Sequence, residues 1–307
     1  MSLRITFLGT AGSIPTLTRS LSAVAIQREG ELILFDCGEG LQRQMIKAKI
    51  GFNRKTKVFI THMHGDHVLG LPGILQTMSL LRREKPLYIY GPVGIEAFVK
   101  AIIETVKFSL VFSIEVNEIK EEGVVLQEKD YDVRAAWAEH SIPTLAYALI
   151  EKPRPGKFYP EKASALGVPK GHLWSMLQQG HEVKLPNGRI VQPSEVLGPS
   201  RPGRKVVYVG DTKPSDRIAE FAKGADILIH EATFGEELAE RAEEDKHSTP
   251  SGAALIAKKA GVKLLILTHI SARYSDPSIL AEEAKKVFPE VLVAEDFMKI
   301  DIPFREV

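Results

Sequence analysis

A layered α/β architecture is what this 307-residue sequence predicts, and three observations carry the prediction. Short apolar runs that suit strands alternate with amphipathic runs that suit helices through both halves of the chain. Several of the strand-like runs are continuously apolar, as strands covered on both faces are. With 44% hydrophobic and 26% charged residues the chain can bury a sizeable core, and its composition does not point to disorder.

The strand-like segments are, in order, 4–8, 23–26, 32–35, 58–60, 87–90, 133–137, 145–150, 206–209, 227–229, 264–267 and 291–293. Helical patterns fall between them at 71–83, 94–105, 214–223, 250–260 and 277–287; the 250–260 run is entered through the cap-like pair Ser248-Thr249. The run 236–246 is helical in pattern and highly charged, a solvated face with pairs such as Glu237 and Arg241 at helical spacing. No repeat of fixed period is present.

One stretch breaks the rhythm. Residues 151–205 are rich in Pro, Gly and Lys, from Lys152-Pro153-Arg154-Pro155-Gly156-Lys157 to Gly198-Pro199-Ser200-Arg201-Pro202-Gly203-Arg204. Little regular structure is expected there, and a segment of that kind inside a compact domain is usually functional or disordered. The organisation predicted is a single domain over 1–307 with an inserted flexible arm at about 151–205.

Lys and Arg total 40 against 39 for Asp and Glu, so any nucleic-acid binding must come from local basic patches. Cys37 is the only cysteine, which excludes an intrachain disulfide and fits a reducing compartment. Its position after strand 32–35 suits a small buried apolar residue; the alternative is a reactive thiol. The start, Met1-Ser2-Leu3-Arg4-Ile5, lacks a charged leader followed by an apolar run, and no stretch reaches the roughly 20 apolar residues of a membrane span. A soluble, cytoplasmic protein is expected.

The strongest chemical signal is Thr61-His62-Met63-His64-Gly65-Asp66-His67, directly after a strand. Three imidazoles and a carboxylate within six residues suit a borderline metal such as zinc, and Gly65 frees the turn to fold around it. The bland alternative is a polar surface loop. Against it, His140, Asp211 and His269 each follow another apolar strand, so metal-capable residues repeatedly sit beyond strand ends. Strand ends gathered at one sheet edge make a rigid base for a site. Seven such residues suit two metals with a water between them.

The pattern His62-x-His64-x-Asp66-His67 followed by His140, Asp211 and His269 resembles the metallo-β-lactamase superfamily, and within it the ribonuclease Z family, across essentially the whole chain. Further matching elements are Gly9-Thr10-Ala11-Gly12, Asp36-Cys37-Gly38-Glu39-Gly40, His230-Glu231-Ala232-Thr233, His247-Ser248-Thr249, His269-Ile270-Ser271-Ala272-Arg273-Tyr274 and Ala294-Glu295-Asp296-Phe297. Leu41 departs from the family, which more often has Thr there, without touching the candidate ligands.

The resemblance implies a four-layer αββα sandwich. His62, His64 and His140 would hold one zinc, Asp66, His67 and His269 a second, with Asp211 bridging. It also implies an endonuclease that removes the 3′ trailer of precursor tRNA, leaving a 3′-hydroxyl on the tRNA and a 5′-phosphate on the trailer, and acting as a homodimer. A metal pair can generate hydroxide at neutral pH and neutralise charge developing on a phosphodiester. Asp66 is the expected acceptor of the attacking water's proton. His247 is the expected proton donor to the leaving oxygen, with Glu231 orienting its ring; otherwise His247 is only a helix-entry residue. His230 is expected to be structural, the alternative being a metal ligand, and Arg273 contacts substrate phosphate or is a plain surface arginine. No metal role is expected for His172 or His181.

Within 151–172, Lys152, Arg154, Lys157, Lys162 and Lys170 face only Glu151 and Glu161, and Phe158, Tyr159 and Trp174 interleave nearby. That suits grip on a phosphate backbone without sequence readout, the alternative being a solvated lysine-rich loop. The family carries a protruding arm of this kind, which grips the tRNA body. Three rivals remain. A small-ester hydrolase of the same superfamily needs no arm, a silent RNA-binding relative loses ligands, and a structural zinc protein favours cysteines.

Overall fold

Along Glu31–Phe35 successive side chains face opposite ways, and Leu32 to Phe35 are all fully buried. A strand like this needs apolar cover on both faces. The computed structural model describes residues 3–304; Met1 and Ser2, on which the expectation about the start of the chain partly rests, lie outside them. The described residues divide into two units, one of 3–150 with 205–303 and one of 151–204 with Phe304.

The larger unit is built on two seven-stranded sheets. One runs, in spatial order, Lys299–Asp301, Leu3–Gly9, Ala23–Arg28, Glu31–Phe35, Lys55–Phe59, Leu87–Pro92 and Ile114–Ile119. The other runs Val291–Val293, Leu264–Thr268, Ile227–Glu231, Lys205–Val209, Thr144–Glu151, Tyr131–Ala138 and Gly123–Gln127. Alternation sorts their side chains into layers. Ile33 and Phe35 of the first sheet meet Val206 and Tyr208 of the second in an inter-sheet core, where the rings of Phe35 and Tyr208 stack at 5.3 Å. Leu32 and Leu34 point the other way, under the helices Leu41–Lys47, Leu71–Leu80 and Ile95–Thr105. Val207 and Val209 point under Asp216–Ala222, Pro250–Ala260 and Ser278–Lys285. The result is the αββα sandwich. Each large apolar side chain removed from water contributes roughly 1.5–3 kcal/mol, so all three apolar layers contribute to the stabilisation.

Within the first sheet, Glu31–Phe35, Lys55–Phe59, Leu87–Pro92 and Ile114–Ile119 are parallel neighbours, and within the second so are Lys205–Val209, Ile227–Glu231, Leu264–Thr268 and Val291–Val293. Parallel pairing puts their C-terminal ends on one edge of each sheet.

All eleven expected strands are present, most one to three residues longer than predicted. The expectation lacked Ile114–Ile119, Gly123–Gln127 and Lys299–Asp301, and the helix Leu41–Lys47. The three strands lie at or next to sheet edges and are largely half-buried or exposed, so their apolar signal is diluted. The 236–246 helix is split into a 3₁₀ turn, Glu236–Leu238, and a short helix, Ala239–Glu244. Cys37 is fully buried, and burial pushes its thiol pKa well up, which disfavours the reactive alternative.

The smaller unit corrects the expectation of little regular structure. It holds the helices Pro160–Ala165, His172–Gln178 and Pro193–Val196 and a two-stranded ribbon of Val183–Lys184 and Ile190–Val191. Ala163, Val168, Leu177, Val183, Val191 and Val196 form a core of its own. Trp174 packs beside Phe158 and donates its indole N–H to the Val168 carbonyl at 2.9 Å. Its neck is closed by a buried bidentate pair, in which Arg204 donates to Glu151 at 2.6 and 2.8 Å. Each element is short and contributes only one or two core side chains, too few to show a period. Among the described residues no helix is long and apolar enough to cross a membrane.

Candidate metal centre

The ends of the strands bring together every residue expected to bind metal. His62, His64, Asp66 and His67 lie just past Lys55–Phe59, the last two on the short helix Gly65–Val68. His140 follows Tyr131–Ala138, Asp211 follows Lys205–Val209, and His269 follows Leu264–Thr268. Their donor atoms fall into two sets, His62, His64, His140 and Asp211, and Asp66, His67, Asp211 and His269; within each set the atoms lie within 4.8 Å of one another.

Asp211 belongs to both sets through different oxygens. Its Oδ2 lies 3.6 Å from His62 Nε2 and 3.7 Å from His140 Nε2. Its Oδ1 lies 3.4 Å from His67 Nε2 and 3.1 Å from His269 Nε2.

The outer nitrogens of the rings explain why the inner ones converge. His67 Nδ1–H donates to Asp36 Oδ2 at 2.8 Å, and His140 Nδ1–H donates to the Lys246 carbonyl at 3.0 Å. Thr61 gives its hydroxyl proton to Asp36, so its oxygen accepts from His62 Nδ1–H at 2.9 Å. Thr233 gives its proton to Glu231 Oε2 at 2.6 Å, so its oxygen accepts from His269 Nδ1–H at 2.8 Å. Four Nε2 lone pairs therefore face inward. His67 Nε2 and His269 Nε2 stand 3.3 Å apart, and His62 Nε2 stands 3.1 Å from His64 Nδ1. Asp211 Oδ1 is buried and makes no hydrogen bond among the described residues. Crowded inward lone pairs and an orphaned buried carboxylate oxygen repel unless a cation lies among them, so the donor sets fit a divalent metal.

Burial and the neighbouring imidazoles push His62 down to about 2, which keeps its ring neutral as a metal donor must be. Burial works against the Asp66 anion, but the hydrogen bonds and charges of His269 and His67 outweigh it and hold the carboxyl far below its usual range. The Ser13 amide donates to Asp66 Oδ2 at 2.9 Å. Asp296 fixes that loop by accepting from Thr10 Oγ1, Ser20 N and Gln44 Nε2, which gives the motif near the C-terminus a structural job.

His269 has φ 57, an uncommon conformation for a non-glycine residue and one that often marks a functional site. Gly12 lies against its ring: a Cβ there would sit 2.6 Å from His269 Nδ1. No side chain larger than hydrogen fits.

Beside the donors, His247 Nδ1 lies 2.8 Å from Glu231 Oε1. Glu231 is fully buried and also accepts from Thr212 N at 2.9 Å and Thr233 N at 3.0 Å. Burial opposes a charged His247 ring, but the charge and hydrogen bond of Glu231 prevail and raise its pKa to about 9. Glu231, His247 and His269 form a third convergent group, but their facing atoms are already tied by these hydrogen bonds and by Thr233. Thr249 caps Pro250–Ala260 by accepting from Gly252 N at 3.2 Å, whereas the Ser248 hydroxyl donates to the Thr212 carbonyl.

The donors open into a cavity of about 440 Å³ lined by Ser13, His64, Asp66, His140, Asp211 and His247, among others. A larger one, about 540 Å³, lies by Arg134, Ala148 and Phe221 but has no convergent metal donors. Chemistry, not size, identifies the site.

Other expected residues fall outside the donor sets. His230 is fully buried, donates from Nδ1 to the Glu231 carbonyl at 2.8 Å, and joins no donor set. His172 and His181 are exposed in the smaller unit. Arg273 is exposed and anchored to Ser271 Oγ at 3.0 Å. Lys157, Lys162 and Lys170 are exposed in the smaller unit. Lys152 and Arg154 are half-buried, and the Arg154 guanidinium lies 3.4 Å from the centre of the Phe304 ring. The sequence suggests no role for Asp36, Thr61 or Thr233 as imidazole partners. Yet Asp36 carries the same signal as Asp211, a carboxylate just past an apolar strand.

The chain is similar to known proteins over its whole length. The Beta-lactamase superfamily domain matches residues 178–270, and the Anti-Pycsar protein Apyc1 family matches residues 3–105. The chain is 52% identical to Ribonuclease Z of Methanosarcina acetivorans over 99% of both proteins. It is 48% identical to Ribonuclease Z of Methanosarcina mazei, again over 99% of both. Among solved structures, human tRNase Z, short form, is 32% identical, with a TM-score of 0.73 over 98% of this chain and 100% of that one.

Proposed function

The chain belongs to the ribonuclease Z family within the metallo-β-lactamase superfamily, and on that premise we propose that it is a two-zinc phosphodiesterase that cuts the 3′ trailer from precursor tRNA. Membership makes it an endoribonuclease acting on tRNA. The observation that carries the finer reading is the division of seven donors into two sets around Asp211, with the Glu231–His247 pair on their border.

Zinc in these sets would supply positive charge against the scissile phosphate and acidify water. The remaining work falls to the chain. Asp66, oriented by Ser13, accepts a proton from the attacking water as its oxygen bonds to phosphorus. The bond from phosphorus to O3′ breaks, and His247 delivers its proton to that oxygen. Glu231 holds the ring and keeps it protonated at neutral pH. The products are a 3′-hydroxyl on the tRNA and a 5′-phosphate on the trailer.

The inserted unit serves as the arm of the single catalytic domain, its exposed Lys157, Lys162 and Lys170 meeting the tRNA backbone, with Lys152 and Arg154 nearer its root. Arg273 meets phosphate closer to the cut. A homodimer working in the cytoplasm completes the reading, supported by family membership. To test it, the purified protein is incubated with end-labelled precursor tRNA and the product ends are mapped. A cut near the 3′ end leaving 3′-hydroxyl and 5′-phosphate is expected; intact precursor, or a 3′-phosphate product, overturns the reading.

A further inference from the structure

A second cavity, about 480 Å³, adjoins the metal centre and shares Ser13, Asp245 and His247 with it. Phe234 forms part of its lining and is nearly buried, at 4% exposure. Three groups pack on that one ring. The Arg241 guanidinium lies 5.5 Å from its centre, that of Arg273 lies 5.7 Å from it, and the His247 ring meets it edge-on at 5.7 Å. Both arginines line the cavity, and both are partly anchored, Arg241 by Asp245 at 3.1 Å and Arg273 by Ser271 at 3.0 Å. Anchored guanidinium groups lose less freedom on binding an anion than free ones.

We propose that Arg241 and Arg273 together seat the substrate phosphate one linkage on the tRNA side of the scissile bond. The inference rests on His247 protonating O3′. If it does, the nucleotide carrying that O3′ lies beside His247, and the space adjoining His247 beyond the metal donors is this second cavity. The next anion along that nucleotide is its own 5′-phosphate. Phe234 is too buried to stack with a base, so the cavity offers charge, and charge recognises backbone rather than sequence. Through the shared ring, the seat also fixes the leaving nucleotide against the proton donor.

The test is a cycle on precursor tRNA carrying an uncharged methylphosphonate at that one linkage. In the wild type, kcat/KM should fall about tenfold or more, as expected for losing charge-assisted hydrogen bonds. The double variant Arg241→Gln, Arg273→Gln should lose a similar factor on native substrate and little more on the modified one. Each single variant should show part of the same insensitivity. A methylphosphonate two linkages further upstream should affect wild type and variant by equal factors. No effect of the modification on the wild type, or losses that simply multiply, overturns the proposal while leaving 3′ processing intact. A wild type that does not cut precursor tRNA at its 3′ end instead overturns the reading beneath it.

Discussion

His247 Nδ1 and Glu231 Oε1 lie 2.8 Å apart, and the contact links a buried carboxylate to a ring on the border of the metal donors. The carboxylate belongs to a chain of polar groups. His269 donates to Thr233, Thr233 donates to Glu231, and Glu231 accepts from His247. One anion thus orients the His269 imidazole through a hydroxyl and the His247 ring directly.

Glu231→Gln removes the charge that raises His247. With the protonated ring as the proposed active form, turnover should persist below its pKa and fall as pH rises through it. In the wild type the alkaline limb of kcat/KM is expected near 9. In the variant it should move toward the ordinary histidine value of about 6.5, leaving little activity at pH 8. A pH–rate profile on RNA checks this; an unmoved alkaline limb removes His247 as the donor.

Asp211→Ala takes away the carboxylate shared by both donor sets. Metal content measured by elemental analysis should fall from about two ions per chain, as a two-metal site requires. Turnover should drop more than about a hundredfold, beyond the loss typical of an outer partner. The circular dichroism spectrum should stay that of the folded protein. Full metal content in the variant contradicts a bridging role.

Gly12→Ala places a methyl 2.6 Å from the His269 ring, whose backbone conformation and Thr233 contact leave it little room. Metal affinity should fall by about tenfold or more, as for other disturbances of ligand orientation. Gly51→Ala, where a Cβ meets nothing within 4 Å, is the control and should bind metal normally. Equal metal titrations for the two variants would falsify the tight seat.

Removing the smaller unit tests the arm. Thr144–Glu151 and Lys205–Val209 are antiparallel neighbours with Ile150 opposite Lys205, so an Asn-Gly turn can close the gap left by 151–204. Excising the whole unit is preferable to cutting part of it, because Ala163 and Val168 share a core with Leu177 and Val196. Small nitrophenyl diesters should still be hydrolysed. Precursor tRNA should bind more weakly, with a shallower dependence on salt, since fewer counterions are released. Unchanged cleavage of precursor tRNA by the truncated protein removes the smaller unit as the tRNA grip.

Apolar runs and the residues that follow them made a layered α/β fold and seven candidate donors legible in the sequence, while the four-layer sandwich came from the family resemblance. Continuous apolar runs such as Leu32 to Phe35 and Val206 to Val209 demand cover on both faces, and chemically distinctive residues follow several of them. Both signals are local in the chain, so no alignment in space is needed to see them. How the candidate donors are held is visible only once the chain is folded. Asp36 reaches His67, Thr233 reaches His269 and the Lys246 carbonyl reaches His140 from distant points in the chain, and Gly12 matters only because another strand end lies against it. The same holds for the smaller unit, whose short helices have no period to read and become a core only when Val168, Leu177 and Val196 meet. Periodicity records how one segment faces its surroundings; which nitrogen meets which oxygen is fixed by packing between segments far apart in sequence.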